Sequence, residues 1–147
     1  MDLVEQSRHV VEKSYNEIHV GDKAQITRTI KNEDILTFAR LTGDVNPIHI
    51  DDEFAKNTFF KERIAHGMLT ASFISTILGT QLPGTNTIYL SQNVKFKAPV
   101  KIGDTITAIA EVIEKKDDKK IIRLQTNLVN QDQKVVVEGE AVVMKME

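Results

Sequence analysis

A carboxylate and an imidazole lie five residues apart in one short segment, since Asp44 and His49 flank Asn46-Pro47 and follow Gly43. Gly43 and Pro47 both interrupt a helix, so the two side chains are expected on a short loop. A carboxylate and an imidazole exchange protons with a bound water near neutral pH when a site tunes them. The pair indicates acid–base chemistry, although a turn-forming Asp44, a helix-stopping Pro47 and a half-buried His49 explain the same residues structurally.

A second candidate for chemistry is the start of the segment from Ile64 to Gly79. This segment is apolar on nearly every side with small residues interleaved, which predicts a buried helix. Gly67 lies near its N-terminus, where free backbone N–H groups and the helix dipole favour an anion or an oxyanion and glycine permits close approach. Relief of crowding between the helix and a sheet explains Gly67 equally well.

The element that must deliver Asp44 is a predicted helix that Asn32 begins as N-cap and Gly43 ends. Acidic residues at 33 and 34 suit its first turn. Its apolar face consists of Ile35, Leu36, Phe38, Ala39 and Leu41.

Two further acids, Asp51 and Asp52, follow His49. Either one is suited to cap a short helix through Phe54 and Ala55. A metal site of His49, Asp51 and Asp52 is the alternative, and it is weaker because the segment lacks a second histidine at the i+4 spacing of helical zinc motifs.

Beyond residue 86 the apolar pattern changes to a period of two, which predicts strands. Turn residues separate them, so the last three should form an antiparallel meander. With an earlier strand at 24–30, the architecture is α+β: one long apolar helix against a curved antiparallel sheet of about five or six strands. The four later strands lie near 94–98, 106–112, 122–128 and 135–144.

Composition excludes several classes of protein. The chain has 147 residues, enough for one domain, with 41% hydrophobic and 27% charged residues. A formal net charge of -2 argues against nucleic-acid binding, and the lack of cysteine excludes disulfides and thiolate sites. No apolar run approaches the ~20 residues of a membrane helix, and Met1-Asp2-Leu3 does not begin a signal peptide. We therefore expect a cytoplasmic protein that binds neither nucleic acid nor membrane.

Four blocks in order resemble the MaoC-like hot-dog family, and within it the single-domain (R)-specific enoyl-CoA hydratases. The blocks are Leu41 to His49, His66-Gly67-Met68-Leu69, Gln81-Leu82-Pro83-Gly84, and Tyr89 to Pro99 with Gly103-Asp104. The resemblance implies a hot-dog fold, with a long central helix wrapped by a curved antiparallel sheet, and a homodimer. It places the hot-dog domain at residues 15–147 and leaves 1–14 as an N-terminal extension, in which Leu3, Val4, Val10 and Val11 suit a short amphipathic helix.

The resemblance also implies roles for particular residues. Asp44 and His49 correspond to the catalytic pair, and Asn46 between them positions the loop. Gly67 supplies a backbone N–H to the thioester carbonyl, and Ser75 further along the helix supports the site. No metal and no redox cofactor are implied, since coenzyme A enters only as part of the substrate.

The implied reaction is the reversible hydration of trans-2-enoyl-CoA to (R)-3-hydroxyacyl-CoA, a lyase step of fatty acid metabolism. Alternatives are a hot-dog acyl-CoA thioesterase, a 3-hydroxyacyl-ACP dehydratase and a non-catalytic acyl-CoA-binding protein. Coenzyme A is favoured over acyl carrier protein because the sequence shows no strong basic patch for an acidic partner. The length of the acyl chain stays open.

Overall fold

The computed structural model describes residues 2–147, which form helices and one sheet. The helices are α1 Leu3–Ser7, α2 Asn32–Thr42, α3 Pro47–Ile50, α4 Asp52–Lys56 and α5 Gly67–Thr80, with a 3-10 turn at Tyr15–Glu17. The strands are β1 Lys23–Thr29, β2 Thr87–Phe96, β3 Thr105–Lys116, β4 Ile121–Val129 and β5 Val135–Lys145. No helix in this part of the chain has both the length and the apolar character needed to cross a membrane.

The sheet has five strands across residues 2–147, in the order β1-β3-β4-β5-β2, and every neighbouring pair is antiparallel. β3, β4 and β5 follow one another as a meander, which confirms the sequence prediction. β1 and β2 lie at the two edges. The α+β class is also confirmed, because the one long apolar helix, α5, packs on this sheet.

The core lies between α5 and the face of the sheet on which the helix packs. Alternate residues of β3 and β4 are buried, as expected where side chains point to opposite faces of a strand. Alanines 108 and 110 at the middle of β3 are fully buried and leave room for the helix to approach. The helix contributes Ala71, Ile74, Ile77 and Leu78.

The other side of α5 is not covered. Met68 is exposed, and Ser72, Ser75 and Gly79 lie on the same open side of the helix. The prediction of a helix buried on every side is therefore wrong for this face, because one sheet within one chain covers only one side of the helix. An apolar sequence pattern does not show whether the same chain or another chain covers each side of a helix.

The start of α2 differs by one residue from the prediction. Lys31, and not Asn32, is the N-cap, and its backbone N–H donates to Asp34 Oδ2 at 2.8 Å. The side chain of Asn32 instead accepts a hydrogen bond from Arg63 Nη2 at 2.7 Å. The end of the helix is as predicted, with Gly43 in the left-handed conformation at φ +81°.

The N-terminal segment is less helical than predicted. α1 includes only residues 3–7, and Leu3 and Val4 remain exposed, so no apolar face of this helix is buried. Val11 lies outside it and binds the end of α5, because its N–H donates to Thr80 O and its carbonyl accepts from Thr85 N. The boundary after residue 14 stays a prediction.

Candidate active site

Asp44 occupies the turn that follows α2. The Gly43 N–H donates a hydrogen bond to Ala39 O at 2.8 Å, which ends the helix. The Asp44 N–H then donates to Thr42 Oγ1 at 3.2 Å. The Asp44 carboxylate accepts from Asn46 N at 3.2 Å. These bonds leave the carboxylate in an exposed position with further lone pairs for a ligand.

His49 lies on the single turn of α3 and not on the short loop that the sequence predicted. Asn46 is the N-cap of that turn, since its side chain accepts from Ile48 N at 3.3 Å, and Pro47 occupies the first helical position. Pro47 therefore begins a helix here, while Gly43 ends the preceding one. Asp44 therefore directly follows a helix end, and His49 lies just after a helix start, which restricts both side chains.

The tautomer of His49 follows from its hydrogen bond. His49 Nδ1 lies 2.7 Å from Ile64 O, and a carbonyl oxygen only accepts, so Nδ1 carries the proton. Nε2 then carries a free lone pair, as a general base requires. Ile64 is itself fixed, since its N–H donates to Ile48 O and the next residue, Ala65, donates to Val100 O.

The pKa of His49 lies below its usual value. Burial of the ring is the main cause and His66 adds to it, while the hydrogen bond to Ile64 and the charge of Asp44 act in the opposite direction. A lowered pKa keeps the imidazole neutral at pH 7. The ring is thus in the protonation state of a base.

His66 joins these residues, although sequence reasoning gave its side chain no role. The residue is 3% exposed, and its Nε2 lies 3.0 Å from the backbone oxygen of Asp44. Its ring stacks on His49 with 3.9 Å between centroids and is tilted against Phe38 at 4.8 Å. The one signal in the sequence is a histidine directly before the glycine that begins an apolar helix.

Gly67 begins α5, as predicted, so its N–H is among the first-turn amides that have no acceptor within the helix. A Cβ at this position would lie 2.7 Å from Cε1 of Phe96 on β2. Gly67 therefore relieves crowding between helix and sheet and also presents an amide at the helix N-terminus. The structure is compatible with both roles.

These groups line one pocket of 510 Å³. Its polar wall includes Asp44, His49, His66 and Gly67, and the rest is mostly apolar and aromatic. Such a cavity can hold an acyl chain beside a proton-transfer pair and an N–H donor. The apolar lining includes Phe38, Phe60, Ile64, Met68, Phe96 and Val100.

Ser75 lies elsewhere. It is on the open face of α5 and lines a second pocket of 410 Å³ between this helix and β2, with Tyr89, Leu90 and Gln92. The structure thus brings together Asp44, His49 and Gly67 but does not bring Ser75 to them within one chain. The supporting role of Ser75 stays a prediction.

Asp44, His49 and His66 also have the residue types of a metal site, with ligand atoms within 4.8 Å of one another. The ring orientation argues against shared ligation. The lone pairs of an imidazole lie in the plane of its ring. The two ring planes are stacked with an angle of 27° between them, so the lone pairs of the two rings lie in nearly parallel planes and do not point toward one metal ion. The acids considered with His49 have other partners, because Asp51 caps α4 and Asp52 lies 3.7 Å from Arg63.

Comparison with known proteins supports one family. Residues 14–139 match the model of the MaoC like domain. The chain belongs to the MaoC-like family. A curated MaoC-like relative, the (R)-specific enoyl-CoA hydratase of Rhodospirillum rubrum, is 48% identical over 88% of this chain and 90% of its own length.

Solved structures of MaoC-like relatives agree with the fold. An R-hydratase from Pseudomonas aeruginosa superimposes with a TM-score of 0.86 at 47% identity, covering 90% of this chain and 85% of that chain. The (R)-hydratase from Aeromonas caviae involved in PHA biosynthesis superimposes with a TM-score of 0.85 at 44% identity. The match covers 87% of this chain and 97% of that chain. The hot-dog fold implied by the sequence resemblance is confirmed.

Proposed function

We propose that this protein is an (R)-specific enoyl-CoA hydratase, which adds water reversibly to a trans-2-enoyl-CoA and forms the (R)-3-hydroxyacyl-CoA. The observation that carries the proposal is the shared pocket of a carboxylate, a neutral imidazole with a free Nε2 and a helix N-terminal glycine. The MaoC-like relatives that resemble this chain bear the same activity in their names. The R configuration rests on those relatives.

In the proposed mechanism, Asp44 and His49 hold one water on one face of the double bond. His49 Nε2 removes a proton from the water as its oxygen bonds to C3, while the Asp44 carboxylate orients the water by accepting its second proton as a hydrogen bond. Electron density of the C2–C3 double bond moves to the thioester oxygen, which the Gly67 N–H stabilises. The imidazolium then returns the proton to C2, so that the elements of one water are added.

No metal and no redox cofactor take part in this mechanism, because the base, the proton carrier and the oxyanion donor all come from the chain. Exhaustive dialysis against a chelator should leave kcat unchanged. A loss of activity that a divalent cation restores would contradict this proposal.

Coenzyme A is the proposed carrier. Basic side chains near the pocket have acidic partners, with Lys97 Nζ 3.8 Å from Glu138 and Lys101 Nζ 3.3 Å from Glu62. Such paired cations offer little net positive field to an acidic carrier protein. Butenoyl-CoA should therefore react with a higher kcat/KM than the same acyl group on acyl carrier protein.

Exposed apolar residues on β2 support a homodimer. Tyr89 and Leu90 on this edge strand are 39% and 47% exposed, whereas the other edge, β1, presents mostly polar side chains such as Gln25 and Thr27. Pairing of two β2 edges about a two-fold axis removes this unpaired edge and covers the open face of α5.

The cytoplasmic location expected from the sequence stays a prediction, which fractionation of expressing cells tests.

One preparation of the protein separates the candidate functions. A hydratase lowers the ultraviolet absorbance of trans-2-butenoyl-CoA and releases no thiol from butanoyl-CoA. A thioesterase releases thiol, and a non-catalytic binding protein does neither. In the reverse direction (R)-3-hydroxybutanoyl-CoA should regain the absorbance and the S isomer should not, so equal use of both isomers would contradict the proposed stereochemistry.

A further inference from the structure

His66 is a titratable side chain of the pocket's polar wall that the proposed mechanism leaves without a task. It is almost completely buried, and it contacts both members of the proposed pair. Its Nε2 lies 3.0 Å from the Asp44 backbone oxygen, and its ring stacks on His49 at 3.9 Å. It also precedes Gly67 directly in the chain.

We propose that His66 is a positioning residue for hydration, which fixes Asp44 through its backbone and the His49 ring through stacking. The proposal rests on the proposed hydratase function. His66 acts through the other two residues and is not required to touch the substrate.

The hydrogen bond determines the form of the His66 ring. A backbone oxygen only accepts, so Nε2 of His66 carries the proton that binds Asp44. Nδ1 is buried and has no hydrogen-bond partner within residues 2–147. The hydrogen bond therefore places a proton on Nε2 of His66.

Two consequences for catalysis follow from this arrangement. The N–H donated by His66 ties the turn that carries Asp44 to the start of α5, so the carboxylate and the Gly67 amide keep a fixed separation. The stacked ring, supported by Phe38 at 4.8 Å, restricts rotation of His49 and directs its Nε2. Small errors in the placement of reacting groups lower rates strongly, so loss of either contact should reduce kcat more than binding.

Two substitutions separate the contacts. His66→Phe keeps an aromatic ring against His49 and removes the N–H, whereas His66→Gln keeps an N–H donor for Asp44 and removes the ring. We expect His66→Phe to lower kcat ~10-fold, as for one ordinary hydrogen bond, with KM nearly unchanged. His66→Gln should recover part of that loss. His19→Gln, at an exposed histidine, is the matched control and should behave as wild type.

The outcomes decide the proposal. Folded His66→Phe and His66→Gln proteins with wild-type kcat would overturn it, and so would a loss that appears in KM alone. A fall in activity that matches the fall in folded fraction would reduce His66 to a packing residue.

A measurement on the wild-type protein does not depend on variants that fold. The chain has four histidines, so long-range proton–nitrogen NMR spectra can report the tautomer of each ring. We expect the Nε2–H tautomer for His66. A Nδ1–H tautomer would overturn the hydrogen bond to Asp44 and the proposal with it.

The two proposals fail in different ways. A wild-type protein that does not hydrate any enoyl-CoA removes the proposed function and the catalytic part of this inference together, whatever tautomer is found. Hydration by the wild type with unaltered kcat in both His66 variants removes only the role of His66.

Discussion

At the scale of single residues, the proposed chemistry depends on Asp44 and His49 acting on one water. Asp44→Ala or His49→Ala should each lower kcat at least ~10²-fold, the usual contribution of a positioned acid or base. The double variant should be little worse than either single variant, because both residues serve the same step. Stopped assays at saturating substrate measure this, and near-wild-type hydration by either single variant would disprove the mechanism.

The pH dependence reports on His49. Its pKa is lowered from the ordinary value of ~6.5 in the folded protein, chiefly by burial. Since the base must be neutral, kcat/KM should fall only as the pH drops below ~6.5 toward that lowered pKa. The unfolded chain binds the proton more readily, so the same group lowers stability as the pH falls through this window. An acid limb at or above the ordinary pKa would contradict the assignment.

Gly67 has two structural reasons to be glycine, and a double-mutant cycle separates them. Gly67→Ala places a methyl group against the Phe96 ring and also at the amide that should bind the thioester oxygen. If the methyl blocks the substrate, activity stays low in the pair Gly67→Ala with Phe96→Ala, although stability recovers. Recovery of both activity and stability would make Gly67 a packing residue, and Gly67→Val should be worse than Gly67→Ala in either case.

At the scale of elements, Arg63 joins three segments of the chain. Its Nε donates to His49 O at 2.6 Å and its Nη2 to Asn32 Oδ1 at 2.7 Å, so it connects α3, which carries His49, to the start of α2. Lysine has one nitrogen in place of this planar fork and cannot reproduce two donors at these separate positions. The segment that holds His49 therefore depends on a side chain outside the Asp44–His49 motif.

Arg63→Lys should lower the free energy of unfolding by about 1–3 kcal/mol, because buried groups lose a donor, and should lower kcat several-fold. Arg123→Lys is the matched control. Arg123 also binds two partners, Glu114 and Glu140, but it lies on the more exposed outer face of the sheet. Denaturant unfolding measures the stability of both variants, and steady-state assays measure kcat. Equal effects of the two substitutions would show that Arg63 has no special role.

At the scale of the whole molecule, the uncovered side of α5 and the apolar edge of β2 belong together. Leu90→Lys should convert the expected dimer to monomers at micromolar concentration, since a charge would be buried in the pairing edge. Gln25→Lys on the polar edge β1 is the control and should leave the mass unchanged. Light scattering measures the mass, and a wild-type monomer at micromolar concentration would disprove the dimer.

Mixed dimers test how many chains build one site. Asp44 and Gly67 lie in one pocket of one chain, joined through His66. Dimers that pair an Asp44→Ala subunit with a Gly67→Val subunit should therefore stay inactive. Recovery of activity after mixing would show that the two residues of an active site come from different chains.

Much of this molecule could be predicted from local patterns. The periodicity of two in β3, β4 and β5 and the apolar run of α5 are properties of neighbouring residues, and the turns that separate them leave few ways to connect the strands. Gly43 and Gly67 likewise mark helix ends, because their conformational and steric roles act within a few residues. The prediction that Asp44 and His49 act together has the same origin, since both belong to one short motif.

Only the tertiary structure determined the contacts between distant segments. His66 meets Asp44 and His49, and Arg63 meets Asn32, because folding places a helix start, a turn and a connecting segment side by side. Ser75 lies away from the pair in one chain because its face of α5 points away from the sheet. Sequence order carries no direct record of such distances, whereas packing sets which buried donors meet which acceptors, and that decided the tautomer of His49 and the place of His66.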